Sequence, residues 1–131
     1  MADEIEWNVL MRTCPSRTSL AEIANKWTAM IVVVLGAGPL RFTQVRTRVD
    51  GISAKVLAET LRRLERDGIV TRRSYDEMPP RVEYELTTLG HSLAEPLEAL
   101  RRWAEGNIVQ VLEAREAYDL RPTSGGGRDL A

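Results

Sequence analysis

The sequence predicts an α+β fold that is mainly helical, and three observations predict it. Apolar residues recur at three-and-four spacing between residues 20 and 34 and again between 57 and 64. Two runs rich in β-branched and aromatic residues, 69–75 and 81–86, are separated by a proline-containing break. A long apolar periodicity then occupies residues 89–118. A chain of 131 residues suits one domain with appendages and leaves little room for a second catalytic unit.

Residues 1–13 mix acids with Ile5, Trp7, Val9 and Leu10, which fits either a short amphipathic arm or a frayed terminus. From Thr18 one helix is expected, with Thr18 or Ser19 as its N-cap and Leu20, Ile23, Ala24, Trp27, Met30, Ile31 and Val34 on its inner face. Gly36-Ala37-Gly38-Pro39 ends it. Phe42–Val49 reads as a second helix, capped by Thr43, with Val45 and Val49 inward; Asp50-Gly51 supplies the turn. Ser53 caps a third helix whose Leu57, Leu61 and Leu64 form a narrow apolar stripe, and Gly68 closes it. Ile69–Tyr75 and Arg81–Leu86 read as strands, joined by Asp76-Glu77-Met78-Pro79-Pro80, a loop too long for a tight hairpin. The last helix is capped by Thr87 or Thr88 and runs through Leu89, Leu93, Leu97, Leu100, Trp103, Ile108, Val111 and Leu112 to about Tyr118, with a kink expected at Pro96. The expected organisation is an arm (1–13), a main domain (14–105), a helical extension (106–120) and a disordered tail (121–131) that contains Gly125-Gly126-Gly127.

The net charge is −1, but its distribution is uneven. Residues 41–81 carry ten basic side chains against six acids, whereas the segments on either side are net acidic. A local basic footprint on a nearly neutral chain argues against bulk coating of nucleic acid and for a specific contact surface. One cysteine, Cys14, and one histidine, His91, make no zinc-ligand set, so no metal and no cofactor are expected. The longest apolar run, Met30–Leu35, is too short to cross a bilayer, and the acidic start lacks the order of a signal peptide, so a cytoplasmic protein without a membrane partner is expected. No paired carboxylates, nucleophile with a base, or glycine-rich phosphate loop is present, and the chain is not expected to be an enzyme.

The order helix, helix, tight turn, helix, strand, loop, strand is that of a winged helix-turn-helix, in which the third helix is held against two others and keeps one face free for the major groove of double-stranded DNA. With Leu57, Leu61 and Leu64 inward, Lys55, Glu59, Arg62, Arg63 and Arg66 lie around the opposite half of that helix. Ser53, Lys55 and Val56 are placed to reach base edges, Lys55 toward guanine acceptors and Val56 toward a thymine methyl. Arg62, Arg63 and Arg66 suit phosphate, as do Arg41 and Arg46. Arg81, beside two prolines at the wing tip, suits a narrow minor groove. The bland alternative for this face is a solvated surface.

The chain resembles the HxlR-type winged-helix regulators of the MarR-like superfamily. The resemblance rests on Cys14-Pro15, Lys26-Trp27-Thr28, Gly38-Pro39-Leu40-Arg41-Phe42, Gly51-Ile52-Ser53, Leu61-Arg62-Arg63-Leu64-Glu65, Asp67-Gly68-Ile69-Val70, Pro79-Pro80-Arg81-Val82-Glu83-Tyr84, Leu86-Thr87, Leu89-Gly90 and Trp103. It implies a transcriptional regulator acting as a homodimer on a palindromic operator, with N- and C-terminal dimerisation helices; Leu97, Leu100, Trp103, Ile108 and Val111 are the expected seam, although Trp103 also fits a core position. Some members of the family sense oxidants or electrophiles through a cysteine near the position of Cys14. Arg12, Arg17 and the start of the first helix would favour the thiolate there, and an inert structural thiol is the alternative. The competing class is a winged helix that binds a protein partner without reading DNA.

Overall fold

The computed structural model describes residues 6–122, so residues 1–5 of the arm and 123–131 of the tail lie outside the described residues. The elements run α1 (Pro15–Ile23), α2 (Lys26–Leu35), β1 (Leu40–Arg41), α3 (Phe42–Arg48), α4 (Ala54–Arg66), β2 (Val70–Tyr75), β3 (Arg81–Leu86) and α5 (Thr88–Asp119). The chain divides into two units, residues 1–98 and 99–131. Among the described residues no single helix is long and apolar enough to cross a membrane.

The helix expected from residue 18 to 34 is two helices. Pro15 occupies the first turn of α1, where its missing N–H costs nothing, so α1 starts three residues before Thr18. The break comes at Asn25, whose Oδ1 accepts from the backbone N–H groups of Trp27 (3.0 Å) and Thr28 (3.5 Å) and thereby starts α2. The apolar spacing runs across this joint, which is why periodicity alone hides it. Leu20, expected inside, is 49% exposed, and α1 contributes no buried residue. The second helix starts at Phe42 rather than at a Thr43 cap: Gln44 Oε1 accepts from the backbone N–H of Arg41 at 2.8 Å.

The core is built from Ile31, Val32 and Leu35 of α2, Val45 of α3, and Leu57, Leu61 and Leu64 of α4, closed by Val70, Leu86 and Leu97. The stripe on α4 is therefore buried as expected. Ser53 caps this helix, accepting from Val56 N–H at 3.1 Å. Gly68, at φ +77°, turns the chain out of it in a conformation that a side chain strains.

β2 and β3 pair antiparallel along their whole length, from Val70 opposite Leu86 to Tyr75 opposite Arg81. A strand the spacing did not predict, β1, joins the other side of β3, with Leu40 opposite Tyr84. Two residues are too few for an alternating signal, and the order is β1-β3-β2. Thr87, not Thr88, caps α5: its Oγ1 accepts from Gly90 N–H at 3.0 Å. Gly90 lies so close to Ile69 that a Cβ would overlap its carbonyl oxygen, so this first turn of α5 is seated directly on the strand entry. Pro96 sits inside α5 without ending it.

Candidate nucleic-acid interface

With one side of α4 locked into the core, the other side is a row of charge. Lys55, Arg62 and Arg66 are exposed and have no ion-pair partner among the described residues. Their spacing of seven and four places them in line on a helix of 3.6 residues per turn. Lys55 lies in the first turn, the part of such a helix nearest base edges. Ala54 beside it is also exposed and was missed by the sequence reading; its signal was its place directly after the Ser53 cap.

Other expected members of this face sit differently. Val56 is half-buried against the core, which leaves only part of its side chain for a thymine methyl. Glu59 is half-buried. The Ser53 hydroxyl already accepts from the Val56 N–H and has its proton to offer. Arg63 turns away from the row: its Nε donates to Glu22 Oε2 of α1 at 3.0 Å and its Nη2 to Thr60 Oγ1 at 3.3 Å.

Arg81, at the tip of the wing where β3 begins, is not a free guanidinium. It pairs with Glu77 at 2.9 Å and Glu83 at 3.7 Å and stacks on the Tyr75 ring, 4.0 Å from its centroid. Its Nε is buried without a partner. The wing brings Glu77, Glu83 and Glu85 to its arginines, and Arg73 pairs with Glu85 at 3.3 Å. Arg72 is exposed without an ion-pair partner among the described residues, and the strand reading had given it no role.

On α3, Arg46 Nε donates to the Ile52 carbonyl at 3.3 Å, holding the turn that leads into α4. Arg41 is exposed and ends β1. Thr43, Gln44, Thr47 and Arg48 line a shallow polar recess of about 220 Å³ on α3; apart from Thr43, expected only as a cap, none of them was given a role from sequence, because polar side chains on a brief helix carry no periodic signal.

Cys14 is the N-cap residue of α1 and is half-buried. The Ser16 hydroxyl, 2.9 Å from Sγ, is the main cause of a thiol pKa below the ordinary value; partial burial opposes it, and backbone N–H groups of Ser16, Asn8 and Arg17 assist. The expected charges of Arg12 and Arg17 are not the cause: Arg17 reaches instead toward the Leu10 carbonyl at 3.5 Å. An open groove of about 740 Å³ beside the thiol is lined by residues of α1 and by Arg63 and Arg66.

Of the expected seam, Leu97 is 6% exposed and belongs to the core of its own unit, so it has no surface to give a second chain. Within the second unit, α5 carries apolar side chains that are uncovered: Leu100 (64%), Trp103 (60%) and Ile108 (43%) are exposed, and Val111 is half-buried. Leu100, Trp103, Asn107, Val111 and Tyr118 follow one another at three, four, four and seven residues along one side. Trp103 is thus not a core residue. Among the described residues no three His, Cys, Asp or Glu side chains gather as a metal site.

A family model described as HxlR-like helix-turn-helix matches residues 22–111. The HTH-type transcriptional regulator YtfH of Escherichia coli K12 is 40% identical over 111 residues, covering 85% of this chain and 88% of its own. The solved structure of a transcriptional regulator, ytfH from Salmonella typhimurium, superposes with a TM-score of 0.79 at 42% identity, over 85% of this chain and 99% of that one. The structure of the redox regulator HypR in its oxidised form is similar at a TM-score of 0.67 and 36% identity, over 72% of this chain and 97% of that one.

Proposed function

The chain belongs to the HxlR-like helix-turn-helix family, a non-enzymatic class of transcriptional regulators, and from that premise we propose that it binds a palindromic operator in double-stranded DNA as a homodimer. The observation that carries this reading is the unpaired row Lys55, Arg62 and Arg66 on a helix whose other side is fully committed to the core. Such a helix enters a major groove as a rigid body, with Lys55 and Ser53 toward base edges and Arg62 and Arg66 toward phosphates. Arg41 and Arg46 add phosphate contacts from the side of α3. Arg81 serves the minor groove by exchanging Glu77 and Glu83 for phosphate. Arg63, bound to Glu22, has the least freedom of the expected set.

The homodimer rests on the exposed Leu100, Trp103 and Ile108 with the half-buried Val111 on the same helix, since an apolar patch of this kind on a small protein marks an interaction surface. Two copies related by a two-fold axis match a palindrome. Action on the chromosome places the protein in the cytoplasm.

Salt tests this reading against a winged helix that binds only a protein partner. Roughly six to ten phosphate contacts per dimer should weaken operator binding by about 10³–10⁵-fold between 50 and 200 mM salt, with a log-log slope near −0.9 per phosphate. A flat response would favour the protein partner.

A second reading adds regulation through Cys14, favoured by its lowered pKa and by the similarity to HypR. With one cysteine in the chain, Cys14 has no intrachain thiol to pair with, so its modified forms are an oxyacid, a mixed disulfide with another molecule's thiol, or an adduct with an electrophile. Treatment with a quinone should weaken operator binding of the native protein and leave a Cys14→Ser variant unaffected. Equal losses in both would remove the idea.

A further inference from the structure

We propose that Glu22 is a positioning residue for DNA reading, because its carboxylate ties α1 and α2 to the flank of α4 and so sets the direction in which Lys55 points. The inference rests on the DNA-binding reading above and adds a residue that touches no base. One oxygen, Glu22 Oε2, receives Arg63 Nε at 3.0 Å and Thr28 Oγ1 at 3.3 Å. Arg63 continues through Nη2 to Thr60 Oγ1, which donates to the Val56 carbonyl at 2.7 Å. Thr28 and Thr60 are both fully buried, so the network is anchored in the core at two points, one on α2 and one on α4.

Among the described residues, the pairs Arg73–Glu85, Arg81–Glu77, Arg81–Glu83 and Arg101–Glu105 each stay within a hairpin or a helix. Glu22–Arg63 instead spans 41 positions. Its side chains are 33% and 46% exposed, so it contributes little to stability. Its consequence is geometric. Lys55 lies eight residues before Arg63, about 12 Å along the helix, so a 5° tilt about Arg63 moves the reading end by about 1 Å. Hydrogen bonds to base edges weaken steeply over that displacement, whereas phosphate attraction barely changes. Glu22 therefore acts on sequence preference more than on overall affinity.

The test measures binding of the full-length protein to its selected operator duplex and to a scrambled duplex of equal composition, at several salt concentrations. Glu22→Gln and Arg63→Met should each weaken operator binding by roughly 5-fold, with binding to the scrambled duplex and the salt slope unchanged, and the double variant should lose no more than either single one. The charge swap of Glu22→Arg with Arg63→Glu should recover most of the loss. If Glu22→Gln melts early, Arg63→Lys, which keeps the charge and loses the Nε bond, makes the same comparison. Unchanged or tighter operator binding by Glu22→Gln, or a salt slope one phosphate smaller in Arg63→Met, would mark Arg63 as a phosphate contact and overturn the proposal. A wild-type protein that prefers no duplex would instead refute the DNA-binding reading itself.

Discussion

Leu61→Ala is expected to cost about 2–5 kcal/mol of folding stability, the range for emptying a well-packed leucine site. Leu61 is 1% exposed and lies on α4 between Leu57 and Leu64, with Ile31, Val32 and Leu35 of α2 in the same cluster. Helices and sheet meet there, so no single element can collapse into the void without dragging the reading face with it. Urea unfolding at fixed protomer concentration checks the value, and the midpoint should fall without a change in slope. Arg62→Ala, one residue on but exposed, should stay within about 0.5 kcal/mol. A loss below 1 kcal/mol at Leu61 would mean that α4 is not held as described.

Lys55→Ala is expected to relax base preference at its contact position by about 1–3 kcal/mol, which is roughly 5- to 150-fold at each half-site. Val56 is half-buried, Glu59 is half-buried and acidic, and the Ser53 hydroxyl is already accepting a bond, so the unpaired ammonium in the first turn has the most to give a base edge. Affinities for a panel of single-base operator variants check this. Uniform loss across the panel would make Lys55 a phosphate contact instead.

Much of this was legible in the sequence because it depended on strong local signals. Ser53 and Gly68 bracket α4, and its leucines recur at helical spacing, so both the helix and its inward direction followed from the residues. Prolines and alternation likewise outlined the hairpin. What escaped depended on contacts between distant residues. The α1–α2 joint is made by an Asn25 side chain inside an unbroken apolar pattern, and β1 exists only because β3 is beside it. Charge at the site was visible, but its pairing was not: nothing near Arg63 in sequence announces Glu22, and Glu77 and Glu83 flank Arg81 without showing that both close on its guanidinium. Leu97 shows the same limit, since the apolar periodicity of α5 continues without change from the buried Leu97 to the exposed Leu100 and Trp103.

Selection of bound sequences from a pool of random duplexes tests the central claim most directly. Two inverted half-sites, centred about one helical turn or a multiple of it apart, are predicted, since they would report base reading and two-fold pairing together. Recovery of no enriched sequence, or of a single unpaired half-site, would contradict the account.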